Sequence, residues 1–236
     1  MQLRSLWSVT LSLAVFALIP QAKADILFAG SSGTLSASAD FALSGNTLTV
    51  TLTNTSGADV MDPTDVLTGL GFNTSHLLTP VSASLNGSTV FYGSIVNNVG
   101  EGWDYEGGIN FHGYNAGVSA AGLGVFSAPN FFSPPVTPLD GIDYGLLSAG
   151  DNPATGNTGI TGHGPLIDDS IVFTLTAAAG FDLSEIGSSV VFQYGTAVDE
   201  PNFVGGVQSA VPEQTSIFLL ATVAAGLGYK VRRRLA

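Results

Sequence analysis

The sequence predicts an all-β domain, an antiparallel β-sandwich of jelly-roll-like type, carried between two short apolar end segments. Three observations point there. Apolar and polar residues alternate at period two in several stretches, as strands buried on one face require. No stretch of the central chain keeps a sustained helical period. The composition, with 30 glycines, no cysteine and only 10% charged residues, leaves Ser, Thr, Asn and Gly to make the polar surface, which suits extracellular β-structure.

Charge separates the domain from its ends. The six basic residues are Arg4 and Lys23 at the front and Lys230, Arg232, Arg233 and Arg234 at the back. Residues 25–210 carry no Lys or Arg, but they hold 17 of the 18 acidic residues. Such a domain repels nucleic acid, because it has no basic side chain to contact phosphate. Without cysteine it also lacks a disulfide framework, so one core must stabilise it, and about 186 residues suffice for that.

Residues 1–24 have the three parts of a secretory signal peptide: basic Arg4, an apolar run over 6–19, and Ala22-Lys23-Ala24 as the small-x-small site for signal peptidase. The mature chain is expected to begin at Asp25. The 14-residue apolar run spans about 21 Å as helix, short of a bilayer core of about 30 Å.

Residues 25–201 are assigned to the sandwich. The clearest hairpin lies in 34–53, where Leu35, Ala37, Ala39, Phe41 and Leu43 share one face, Ser44-Gly45-Asn46 turns, and Leu48, Val50 and Leu52 continue it. Residues 66–72 form a further strand candidate. A second hairpin is expected from 81–85, an Asn86-Gly87 turn and 88–96. Residues 97–168 hold 15 of the 30 glycines and read as long loops with a few short strands. Strands follow at 170–177 and 189–194, separated by one helical turn at 182–186. The glycine-bearing residues 202–210 read as a linker.

The chain ends in Val211-Pro212-Glu213-Gln214, fifteen mostly apolar residues over 215–229, then Lys230 and Arg232 to Arg234. The apolar segment is a short transmembrane helix whose basic flank stays on the cytoplasmic side, leaving the domain outside. This layout, residues 211–236, resembles the PEP-CTERM sorting signal of Gram-negative bacterial proteins processed by exosortase. Val211, Pro212 and Glu213 fall on the motif, and Gln214 stands where a second proline is usual. The resemblance implies cleavage near the motif by exosortase, a transient inner-membrane anchor, and release or attachment at the cell surface. It also implies an association with extracellular polysaccharide and biofilm. The hairpin at 39–55 is similar to that of some exosortase-dependent surface proteins, and Asp168-Asp169 ahead of a strand fits the same pattern.

Little in the domain points to catalysis, and no enzyme is expected. His76, His112 and His163 are available as bases, but no Gly-x-Ser-x-Gly elbow and no His-Glu-x-x-His spacing occurs, so neither a serine hydrolase nor a zinc site is indicated. The most suggestive cluster is 101–106, where Trp103 and Tyr105 can stack on sugar faces while Glu101, Asp104 and Glu106 accept hydroxyl hydrogen bonds. The paired carboxylates could also serve as a glycosidase's acid and base, but the reading in which both rings cap the core ranks above glycan binding, and glycan cleavage ranks below both. Asp59, Asp62 and Asp65, with Asp140, Asp143, Asp151, Asp168 and Asp169, raise a calcium site, although the same residues are ordinary turn formers. The expected role is a structural or adhesive protein of the cell surface or extracellular matrix.

Overall fold

The computed structural model describes residues 24–93, 99–132, 139, 141–156, 159–162 and 164–208. The strands are β1 (Ala24–Ser32), β2 (Leu35–Ser44), β3 (Thr47–Asn54), β4 (Leu67–Phe72), β5 (Leu78–Leu85) and β6 (Val90–Phe91), then β7 (Asp104–Phe111), β8 (Tyr114–Ser119), β9 (Leu166–Ile167), β10 (Ser170–Ala177), β11 (Ser189–Tyr194) and β12 (Asn202–Val207). Ten form one antiparallel sheet in the order β5-β10-β3-β2-β1-β12-β11-β4-β8-β7, and β6 pairs with β9 apart from it. The chain is therefore all-β and antiparallel, as the alternation implied.

The sheet folds over so that its halves enclose one core. Phe41 on β2 meets Phe72 on β4 with ring centroids 5.3 Å apart, and Trp103, just ahead of β7, meets Phe173 on β10 at 4.9 Å. Edge-to-face contacts of this kind add to the area each ring buries. The alternating faces of β2 and β3 supply the middle of that core, with Ala37, Ala39, Phe41, Leu48, Val50 and Leu52 fully buried. Their turn is the two residues Gly45-Asn46, since Ser44 pairs with Thr47. Positive φ at Gly45 alone fits the type II′ form, whose twist matches paired strands.

The second expected hairpin does not form. Gly87 does turn the chain with positive φ, but β5 pairs with β10 and β6 with β9. Packing decides this: β5 carries a bulge where Thr174 faces Ser82 and Leu175 faces Pro80. The extra residue, Val81, is turned to solvent, which lets Leu78 and Ala83 both face the core from an edge strand that tolerates Pro80.

The linker assigned to 202–210 is also corrected, because 202–207 is β12, inside the sheet between β1 and β11. Its glycines permit close approach. A Cβ on Gly205 would lie 2.4 Å from Phe192 Cε2, and one on Gly30 would lie 2.7 Å from the Val204 carbonyl oxygen.

Likewise, the stretch 97–168 contains the β7–β8 hairpin. His112 and Gly113 have φ of +52° and +89°, the two positive values of a type I′ turn. A satellite core of Val60, Val66, Ile142, Leu147, Ile160 and Leu166 packs beneath the remaining connections.

Because every pairing between these strands is antiparallel, the connections fall at two ends. The near end holds 45–46, 73–77, 112–113 and 178–188, together with the start of β1 and the end of β12. The far end holds the turn 33–34 and the connections 55–66, 86–103, 120–169 and 195–201. Ten described acidic residues lie in those far-end connections: three in 55–66, one in 99–103, four in 141–169 and two in 195–201. The near-end turns hold Asp182 and Glu185.

Buried Asn54 ties the far-end connections to the sandwich. Its Nδ2 donates to the Leu146 carbonyl at 3.0 Å, while its Oδ1 accepts from Ser56 N at 3.2 Å and the Tyr194 hydroxyl at 3.2 Å. A buried polar side chain so fully used specifies one arrangement of the strands around it.

Candidate functional site

The cluster at 101–106 folds as a short 3-10 turn, Val99–Gly102, running into β7. Strand alternation then sends Trp103 and Tyr105 inward. Trp103 is 0% and Tyr105 4% exposed, so these rings are not a sugar platform, and the glycan site placed on them is withdrawn. Trp103 Nε1 donates to the Tyr144 carbonyl at 3.1 Å, and Tyr105 stacks near Phe72 at 6.4 Å. Glu101 accepts the Tyr144 hydroxyl at 2.9 Å, and burial pushes that phenol well above its ordinary value.

Alternation should turn Asp104 and Glu106 to solvent, yet Asp104 is also fully buried. The cause is residues 127–132, which cover the free edge of β7. Asn130 acts as a substitute strand: its Oδ1 accepts from Tyr105 N at 2.9 Å, its Nδ2 donates to Tyr105 O at 2.7 Å, and its backbone N donates to Trp103 O at 3.1 Å. Covering an edge in this way removes a template for aggregation. Asp104 Oδ2 accepts the Ser127 backbone N–H at 2.8 Å, whereas Oδ1 is buried with no hydrogen-bond partner. Asp104 and Glu106 line a cavity of about 390 Å3 with Ser127, Pro129, Asn130 and Phe132. No periodicity argument finds this site, because the covering segment lies more than twenty residues along the chain.

Burial pushes the Asp104 carboxyl up to about 6, with the Ser127 hydrogen bond opposing and the Glu106 charge adding to the rise. A folded-state value above the ordinary 3.8 means that this group's contribution is fully present below about pH 4 and is lost as pH rises through about 6. Asp104→Asn, which removes the buried charge, is therefore expected to stabilise the fold at pH 7.5 by about 2 kcal/mol and to change it little at pH 4. Thermal unfolding at the two values checks this; an equal effect at both would show that Asp104 is not titrating.

The other acids staple the far-end connections together. Asp59 Oδ1 accepts from Asn152 N at 2.8 Å and Oδ2 accepts the Thr155 hydroxyl, the contact that chiefly holds this carboxyl below its ordinary range. Asp151 Oδ1 accepts from Val60 N at 2.8 Å, and burial pushes Asp151 up. Asp62 and Asp65 form a reciprocal capping box around the 3-10 turn Pro63–Asp65. Among the described residues, no group of three or more His, Cys, Asp or Glu converges on one point, and Asp140 lies outside the described residues.

Among the described residues, one Ser–His–acid contact occurs, at the near end. His76 Nδ1 lies 2.8 Å from Glu185 Oε2, and the Ser75 hydroxyl donates to that same oxygen. A nucleophile relay needs Ser and acid on opposite ring nitrogens, whereas Ser75 lies 3.4 Å from the Nδ1 that Glu185 already engages. The cluster instead pins residues 73–77 to the 3-10 turn Leu183–Ile186, which Asp182 caps. Burial opposes it, but hydrogen bonds from His76, Ser75 and Asp182 hold Glu185 down at about 2. His112 Nε2 lies 2.7 Å from Gln193 Oε1, and His163 falls outside the described residues.

Of the terminal residues, Ala24 is the first residue of β1, with its Cα opposite Leu43. Ala22, the motif Val211, Pro212 and Glu213, the helix 215–229 and the flank Lys230, Arg232, Arg233 and Arg234 lie outside the described residues. Fold and site together define a folded-over antiparallel β-sandwich with its acidic connections gathered at one end. Compared with protein-family models, with curated proteins and with solved structures, the chain finds no match.

Proposed function

We propose that this chain is an exported, exosortase-sorted protein of the cell surface or extracellular matrix, structural or adhesive rather than catalytic. The observation that carries the reading is that the first strand starts and the last strand finishes at the same end of the sandwich. The start of β1 and the end of β12 are neighbours, with Gln208 N donating to the Leu27 carbonyl at 2.7 Å. Both terminal segments therefore attach at the near end, opposite the acidic connections.

Seven residue steps separate Gln208 from Thr215, a reach of at most about 25 Å. A precursor held by residues 215–229 keeps its near end close to the inner membrane and points its acidic connections away. That orientation suits display of the far end. It also accords with a fold whose acids mostly hold loops in place. The signal peptide, Pro212-Glu213 and the basic flank from Lys230 to Arg234 supply the sorting half of the reading. Extracellular polysaccharide is the surrounding material, with no binding role left to Trp103 or Tyr105.

The test is to express the full chain in a host with and without exosortase and take intact masses from membrane, envelope and medium fractions. Loss of residues 1–24 and of the segment from about 214 onward, the latter only with the enzyme, is expected. Retention of residues 215–236 in both hosts would overturn the sorting reading.

A further inference from the structure

We propose that the cavity beside Asp104 binds a divalent cation through the carboxylates of Asp104 and Glu106. Asp104 is fully buried, and its Oδ1 has no hydrogen-bond partner. A buried carboxylate is costly unless paired. The domain holds no basic side chain to pair it, since no Lys or Arg occurs between residues 24 and 229 and no His lies in the covering residues 127–132. The countercharge must come from outside the fold, as a proton or as a cation.

The cavity's chemistry selects among cations. Asp104 and Glu106 stand two residues apart on β7 and line the same space of about 390 Å3. Two carboxylates with water completing the shell suit a hard, oxygen-seeking ion such as calcium, and the absence of His and Cys from the lining disfavours zinc. Space for retained water places the affinity in the millimolar to submillimolar range typical of extracellular modules. Asp59 and Asp151, by contrast, already accept backbone N–H groups of neighbouring loops.

The full chain, purified in detergent, is unfolded thermally at pH 7.5 in 5 mM calcium chloride and in EDTA. Calcium is expected to raise Tm by about 3–5 °C. Glu106→Gln and Asp104→Asn should each lose most of that shift while staying folded in EDTA, and Asp59→Asn should keep it. The site is overturned if calcium leaves Tm unchanged, or if the Glu106→Gln shift equals that of the parent. An undiminished shift in Glu106→Gln would assign the effect to the general acidic field of the far end.

Discussion

A chain ending at Pro201 is expected not to fold, because the removed residues include the strand that joins the two halves of the sheet. β12 pairs with β11 over five positions from Ser189↔Gly206 to Gln193↔Asn202, and its other side meets β1 at Phe28↔Val207 and Ala29↔Gly206. No other strand bridges β1 to β11 in the sheet order, so losing β12 exposes two inner strand edges at once. It also removes Phe203, whose ring packs 5.6 Å from Phe192 and 5.7 Å from Tyr194. A point change makes the same argument without truncation. Gly205→Val sets side-chain atoms where Phe192 Cε2 already lies, and a loss of about 3 kcal/mol, the upper end for overpacking a full core, is expected. Circular dichroism and limited proteolysis of both variants provide the check. A folded, protease-resistant chain ending at Pro201 would show that 202–207 is the dispensable linker its glycines suggest.

Trp103→Ala is expected to cost about 3–5 kcal/mol and to lower Tm by about 10 °C, the loss typical of deleting a fully buried aromatic side chain. The ring touches Phe173 across the sandwich, and its Nε1 satisfies the Tyr144 carbonyl, so the substitution opens a cavity and orphans an acceptor together. Trp103→Phe should recover part of the packing and none of the hydrogen bond. Since Trp7 is the other tryptophan, cleavage after Ala24 leaves Trp103 as the fluorophore of the mature chain. Its emission should be blue-shifted and resistant to iodide. A red-shifted, readily quenched tryptophan, or an unchanged Tm in Trp103→Ala, would return the ring to the surface and reopen glycan binding.

These two cases show where local sequence carries information and where it stops. Alternation located β2, β3 and β10 closely, because each turns one face to the core and the other away from it, whereas β11 lies at its expected bounds but is buried on both faces from Val190 to Tyr194. The helical turn at 182–186 was legible for a local reason too, as Asp182 and Glu185 satisfy each other's backbone donors. The β7–β8 hairpin hid its signal in His112-Gly113, a turn pair recognisable only once positive φ at a histidine is allowed. β1 escaped because Ile26, Leu27 and Phe28 run together without alternation, and β12 because Gly205 and Gly206 mimic a linker.

The sequence by itself determined the strand class, the absence of disulfides and the sorting of charge into a basic pair of ends and an acidic domain. Each is a sum over local residues or a period of two, and neither requires knowing which strands meet. Tertiary structure alone decided that β12 closes the sheet, that Trp103 and Tyr105 are core, and that Asp104 is buried beside Ser127 in the covering segment. Those outcomes depend on segments separated by tens to nearly two hundred residues. Pairing between them is selected by the packing of the whole core, which no short window of sequence contains.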